Sequence, residues 1–68
     1  MFMITINTVE ITNEQLESLI RLLHRGWELD YNSITKLPAD DCITIVVRGK
    51  ETGMTMVMGI EADGYTHS

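Results

Sequence analysis

The chain has 68 residues, of which 44% are hydrophobic and 22% charged, and its formal net charge is −5 at pH 7. This composition is typical of a globular domain and argues against an intrinsically disordered chain. Five basic against ten acidic residues argue against binding nucleic acid by neutralising phosphates, and against binding an anionic membrane surface.

The length predicts a single small domain over residues 1–68. In a chain this short, the free energy gained by burying apolar surface is about as large as the conformational entropy lost. A partner protein or a second copy is therefore expected to add stability. The single cysteine, Cys42, cannot form an internal disulfide, and no apolar run has the length of a membrane span or the flanks of a signal peptide. We therefore expect a cytoplasmic protein that is not attached to a membrane.

The first elements are a strand and a helix. Residues 2–6 alternate apolar and other side chains with the period of a strand. Thr12 and Gln15 form a capping box that begins a helix, which Gly26 ends, so the prediction is a helix over residues 13–25. Ile11 and Leu16 are placed as a hydrophobic staple. The apolar stripe predicted to face the core is Leu16, Leu19, Ile20 and Leu23.

The segment after Gly26 fits two interpretations. Trp27, Leu29 and Tyr31 alternate as in a strand, but Trp27, Tyr31 and Ile34 also continue the helical spacing. Because a glycine inside a helix is destabilising, we favour a helix that ends at Gly26 and a short extended segment after it. Residues 37–41, which include Pro38 and two aspartates, then predict a turn.

The second half of the chain predicts a hairpin. Strands over 42–48 and 54–61 flank a loop over 49–53, and residues 62–68 carry no buried pattern, so this tail is expected to fray. The element order is β-α-(β)-β-β, an α+β two-layer sandwich in which one amphipathic helix packs on one face of a small, mostly antiparallel sheet. The face under the helix is predicted to contain Phe2, Ile4, Ile6, Ile43, Ile45, Val47, Met54, Met56, Met58 and Ile60.

The opposite face of this sheet carries little charge. It is predicted to show Met3, Thr5, Cys42, Thr44, Val46, Thr55, Val57 and Gly59. Threonine and valine are common in any strand, so propensity alone explains the pattern. The alternative is that this face packs on another chain.

Residues with the chemistry for catalysis or metal binding are few. The methionines at 54, 56 and 58 could bind Cu(I), although core packing is the favoured interpretation. His24 is expected on the surface at the helix C-terminus. Cys42 follows two aspartates and should be a poor thiolate, and nothing in the sequence positions His67. No nucleophile with a base can be assembled from these residues, so we expect no enzyme, no metal and no cofactor.

The acidic and aromatic residues suggest binding to another protein. The predicted partner-binding residues are Glu10, Glu14, Glu17, Trp27, Tyr31, Asp40 and Asp41. In size, acidity and lack of any motif, the chain is similar to the small inhibitors that phages and mobile elements encode, including anti-CRISPR proteins; this similarity carries over no residue. We therefore expect a non-enzymatic inhibitor of a larger protein with a basic surface, or alternatively a homodimeric structural module.

Overall fold

A computed structural model describes residues 4–68, so the predictions for Phe2 and Met3 lie outside the described residues. The elements are β1 (Ile4–Ile6), β2 (Val9–Ile11), α1 (Asn13–His24), β3 (Trp27–Lys36), β4 (Ile43–Gly49), β5 (Thr55–Ile60) and β6 (Thr66–His67). β1 and β2 form a two-stranded antiparallel sheet, and the second sheet has the order β3-β4-β5-β6, also antiparallel. With α1 packed against this sheet, the predicted α+β class is confirmed.

The first strand pairs with its immediate neighbour and not with the long hairpin. Ile4 pairs with Ile11 and Ile6 with Val9, which leaves Asn7 and Thr8 as a two-residue turn. Both turn residues have positive φ, 49° and 70°, as a hairpin turn that matches the twist of its strands requires. The prediction that residues 2–6 join the same sheet as residues 42–61 is therefore wrong.

α1 begins at the predicted residue and ends at His24, one residue earlier than predicted, but it buries a different face. The capping box is present: Gln15 N donates to Thr12 Oγ1 (3.1 Å) and Thr12 N donates to Gln15 Oε1 (2.9 Å). The buried residues of the helix are Gln15, Ser18, Leu19 and Leu22. Ile20 and Leu23, which the apolar stripe placed in the core, are 44% and 41% exposed. Compared with the predicted orientation, the helix is rotated about its axis. Gln15 and Ser18 lie on the buried face because their side chains donate hydrogen bonds to backbone carbonyls elsewhere in the fold.

β3 is a ten-residue strand interrupted by a bulge. Asp30 pairs with Val46 and Thr35 with Thr44, so four residues of β3 lie opposite a single residue of β4. Ser33 stabilises this bulge, since its hydroxyl donates to Asp30 O (2.6 Å) and accepts from Val46 N (2.8 Å). The extended conformation predicted after Gly26 is confirmed, but the strand is longer than expected. The mixed periodicity of the sequence arises from the bulge.

The core lies between α1 and the four-stranded sheet. Its buried residues are Ile11, Leu19, Leu22, Ile34, Ile43, Ile45, Val47 and Ile60. Met56 and Met58 pack against it as predicted, whereas Met54 is 69% exposed and does not belong to the core. On the opposite face of the sheet, which we call the outer face, Thr55 and Val57 are exposed as expected. The register also places Cys42 and Gly59 on this face, but both are buried, against the expectation that the face shows them to solvent.

Candidate functional site

The N-terminal end of α1 joins two segments that are distant in sequence. The Gln15 side chain is 1% exposed, and its Nε2 donates to the carbonyl oxygens of Asp41 (2.9 Å) and Ile60 (3.1 Å). Its Oε1 accepts the capping hydrogen bond already described, so the buried amide is fully paired and its burial is tolerated. Asp41 and Ile60 directly precede Cys42 and Glu61. Gln15 therefore fixes the backbone from which these two side chains project.

The C-terminal segment is held on the same end of the helix. Thr12 Oγ1 donates to Ala62 O (2.7 Å), and Ser18 Oγ donates to Gly64 O. Gly64 has a φ of 91°, and a Cβ added there would lie 2.8 Å from the carbonyl oxygen of Glu14. Only glycine suits this backbone conformation at this distance from the helix. The turn therefore directs the chain into β6, where His67 pairs with Gly59.

Three side chains with metal-binding or catalytic chemistry meet on the outer face, where β4 begins and β5 ends. Ile43 pairs with Ile60, and continuing this register by one residue places Cys42 opposite Glu61. One ligand atom from each of Cys42, Glu61 and His67 lies within 4.8 Å of the other two. His67 Nε2 and Glu61 Oε2 are 2.7 Å apart. We call these three residues the Cys-Glu-His cluster.

The fold leaves a specific space for the imidazole of His67. A Cβ added to Gly59 would lie 2.6 Å from His67 Cε1, so the ring occupies the place where another residue would have its side chain. The ring of Tyr65 stacks on the imidazole, with centroids 6.1 Å apart. The prediction that nothing positions His67 is therefore wrong.

The Cys42 thiol has the properties of a buried group that keeps its proton. It is 3% exposed, and its Sγ donates to Ile43 O at 3.6 Å. Burial raises the pKa of the thiol above its ordinary value of 9.0, and the carboxylates of Glu61 and then Asp40 raise the pKa further. This direction agrees with the predicted poor thiolate and argues against a nucleophilic role.

The predicted acidic residues lie on chain segments that meet at the N-terminal end of α1. Glu10, Glu14, Glu17, Asp40 and Asp41 are all exposed. The hydrogen bond from Gln15 Nε2 to Asp41 O holds Asp41 beside the helix, and the Asp41 carboxylate is 3.7 Å from Lys36 Nζ. Asp63, which is not among the predicted partner-binding residues, adds another exposed carboxylate in the turn that docks on α1. We define the acid end as Glu10, Glu14, Asp40, Asp41 and Asp63, with Glu17 on the next turn of the helix.

The two predicted aromatic residues lie elsewhere. Trp27 is half-buried, packs against the core and lines a groove of about 560 Å³ at the other end of the molecule. Arg25 and Lys50 line the same groove, and Lys50 N donates to Gly26 O (3.1 Å). Tyr31 is exposed in the bulge of β3. The structure thus separates the predicted partner-binding residues into an acidic group and two isolated aromatic positions.

Comparison with protein-family models, with curated proteins and with solved structures finds no match to this chain. Within residues 4–68, the helical structure is too short to cross a membrane.

Proposed function

We propose that this chain is a non-enzymatic binding protein whose acid end docks on a basic surface of a larger partner protein. The observation that carries this proposal is the separation of charge along α1. The carboxylates of the acid end lie around its N-terminus, whereas Arg21, His24 and Arg25 follow at its C-terminus, with Lys50 next to them.

Preorganisation makes this separation useful for binding. The acid end is built from three chain segments that Gln15 and Thr12 hold together by hydrogen bonds. Because these segments are already fixed, docking would order only the side chains themselves, which reduces the entropy cost of association. A clustered charge of one sign also accelerates the encounter with a surface of opposite sign.

The chemistry of Cys42 supports a non-enzymatic role, since a protonated and buried thiol is a poor nucleophile. We propose that binding inhibits the partner, because the acidic chain covers a basic functional surface of that protein. In size and charge, the chain resembles the small inhibitors that phages encode.

A homodimer is the second candidate, because one observation favours it. Val57 is exposed on the outer face, where Val46 lies opposite it in the sheet. Val57 is 58% exposed, whereas Val46 is half-buried. Light scattering at micromolar concentration tests this candidate: a dimer that Val57→Lys dissociates would support it, and a monomer would argue against it.

Two charge variants test the docking proposal. The first removes three carboxylates of the acid end (Glu10→Gln, Glu14→Gln, Asp63→Asn), and the control removes three carboxylates elsewhere (Glu28→Gln, Asp30→Asn, Glu51→Gln). Both variants change the net charge equally. Tagged wild-type chain captures partners from an extract of the source cell, mass spectrometry identifies them, and each purified partner is titrated at low and moderate salt.

We expect the acid-end variant to weaken the Kd by about tenfold or more, since each lost contact is worth up to about 1 kcal/mol. The control variant should bind like the wild type, and salt should weaken wild-type binding. Equal losses in both variants, or an affinity that salt does not change, would contradict the proposal.

A further inference from the structure

The Cys-Glu-His cluster has the composition of a transition-metal site. Thiolate, imidazole and carboxylate are the three side-chain ligand types that Zn²⁺ takes in proteins. Among residues 4–68, these three residues are the group whose candidate ligand atoms lie close enough together to share one ion. Cys42 directly precedes β4, Glu61 directly follows β5, and His67 lies in β6. The fold therefore creates the ligand set, and no local sequence motif does.

The distances fit one ion after small side-chain rotations. With Zn–S near 2.3 Å and Zn–N or Zn–O near 2.0–2.2 Å, ligand atoms of a tetrahedral site are about 3.3 to 3.8 Å apart. The three atoms here lie within 4.8 Å of one another, and the imidazole nitrogen and carboxylate oxygen are 2.7 Å apart. The imidazole nitrogen and the carboxylate oxygen must therefore separate by less than about 1 Å, and the distances from the thiol sulfur exceed those of a tetrahedral site by at most about 1.3 Å.

The backbone around the cluster is already organised for the ligands. Gln15 fixes the residues before Cys42 and Glu61, and Gly59 leaves the space that the imidazole fills. Gly64 and Ser18 hold the turn that leads to His67. A site whose supporting contacts exist before the ligand arrives requires little reorganisation on binding.

Access and charge also suit a divalent cation. Cys42 is buried, whereas the side chains of His67 and Glu61 are 44% and 37% exposed. An ion among them would therefore have protein on one side and solvent on the other, where a water can complete four-coordination. The neighbouring carboxylate of Asp40, which accepts a hydrogen bond from Cys42 N, adds negative charge beside the site.

We propose that Cys42, Glu61 and His67 bind one Zn²⁺ ion, with water as the fourth ligand. Binding replaces the proton of the Cys42 thiol by the metal ion and releases that proton to solvent, while the imidazole binds in its neutral form. The bound ion would tie β6 to the start of β4. This proposal does not depend on partner docking, because it concerns the isolated chain.

Metal titration of the full chain tests the proposal. The chain is first stripped with a chelator and then titrated with Zn²⁺ by calorimetry and with Co²⁺ by absorption spectroscopy. We expect saturation at one ion per chain, release of a proton, and a thiolate-to-Co²⁺ charge-transfer band together with the visible bands of a four-coordinate ion. Hydrogen exchange of residues 65–67 should slow when Zn²⁺ is added.

Three variants assign the ligands. Cys42→Ser should abolish the charge-transfer band, and His67→Gln should weaken Zn²⁺ binding by at least about tenfold, since even changes around a metal ligand cost about 10- to 100-fold in affinity. His24→Gln removes the other histidine, on the exposed surface of α1, and should bind Zn²⁺ like the wild type. Because the imidazole of His67 is partly exposed, His67→Gln keeps the test valid if Cys42→Ser fails to fold.

The proposal is overturned by any of three results. The first is the absence of saturable binding below millimolar Zn²⁺. The second is a Co²⁺ spectrum without a thiolate band in the wild type. The third is a loss of affinity in His24→Gln as large as that in His67→Gln, which would indicate scattered surface binding.

Discussion

The two ends of α1 are built in different ways. At the N-terminal end, side chains of the helix and its cap (Thr12, Gln15 and Ser18) bind backbone carbonyls of segments that come from the second half of the chain. At the C-terminal end, the helix ends at His24, and Gly26 just after it meets the β4–β5 turn by accepting a hydrogen bond from Lys50 N, next to an open groove.

The difference shows how a small chain can specify one region more strongly than another. Buried polar side chains accept only one arrangement of partners, since an unpaired donor or acceptor is destabilising. The acid end uses this specificity to bring the Cys-Glu-His cluster together. The groove end is closed by backbone bonds and apolar contacts, which tolerate more variation. Substitutions at matched positions of the two ends should therefore have unequal effects.

The largest effect is expected for Gln15→Ala. The substitution removes three hydrogen bonds and leaves the buried carbonyl of Ile60 without this donor. We expect a loss of about 3 kcal/mol in the free energy of unfolding. Thr52→Ala, at the groove end, removes one exposed hydrogen bond to Met54 N and should cost about 0.5 kcal/mol or less. Urea unfolding of both variants measures the difference; similar losses would remove the distinction between the two ends.

A closer comparison uses two glycines with the same backbone conformation. Gly26 and Gly64 both have a φ of 91°, but a Cβ at Gly26 would meet no atom within 4 Å, whereas at Gly64 it would meet the backbone of Glu14. Gly26→Ala should therefore cost about 1 kcal/mol, from backbone strain alone. Gly64→Ala should cost about 2 kcal/mol, because the turn must also move away from the helix. Thermal unfolding measures both, and equal costs would show that the turn is not docked on α1.

The sequence predicted those parts of the fold that depend on local signals. The capping box of Thr12 and the glycine at 26 define the helix, and the apolar alternation defines β4 and β5. The buried face of the helix could not be read from hydrophobicity, because Gln15 and Ser18 are buried for their hydrogen bonds to segments that follow much later in the chain.

The cluster shows the same division between local and distant signals. Cys42 lies opposite Glu61 because of the register of the β4–β5 hairpin. The apolar alternation of the two strands predicts this register to within a shift of one residue. His67 could not be placed, since β6 has two residues and owes its position to Gly59, Gly64 and Ser18. The local turn at Asn7 and Thr8 was also missed, because threonine rarely adopts positive φ.

A smaller effect is expected at the helix cap. Thr12→Ala removes the hydroxyl that accepts from Gln15 N and donates to Ala62 O, and should cost about 1 kcal/mol. Thr12→Ser keeps the hydroxyl and should retain most of the stability. Hydrogen exchange separates the two roles, since Thr12→Ala should also accelerate exchange in residues 62–67. Unchanged exchange there would limit the role of Thr12 to the helix.

The smallest effect is expected from alkylation of Cys42, which tests how well the fold encloses the thiol next to the acid end. In chelator-treated native protein, Cys42 should react with iodoacetamide more slowly than in urea, because it is buried and its pKa is raised. The native rate should keep rising with pH above the ordinary thiol value of 9.0, where the rate of the unfolded chain levels off, since the folded protein keeps the proton where the unfolded chain has lost it. A native pH profile that matches the unfolded chain would show that the thiol is not enclosed by Glu61 and its neighbours.

The docked C-terminal segment is the feature on which the cluster depends, and the composition of residues 62–68 predicts the opposite, a tail that frays. Nuclear Overhauser contacts between the His67 ring and the Gly59 α-protons, measured without metal, decide between them. We expect strong contacts, together with slow exchange of the Glu61 amide, which donates to Tyr65 O at 2.8 Å. Random-coil shifts for residues 62–68 and no contact between His67 and Gly59 would contradict it.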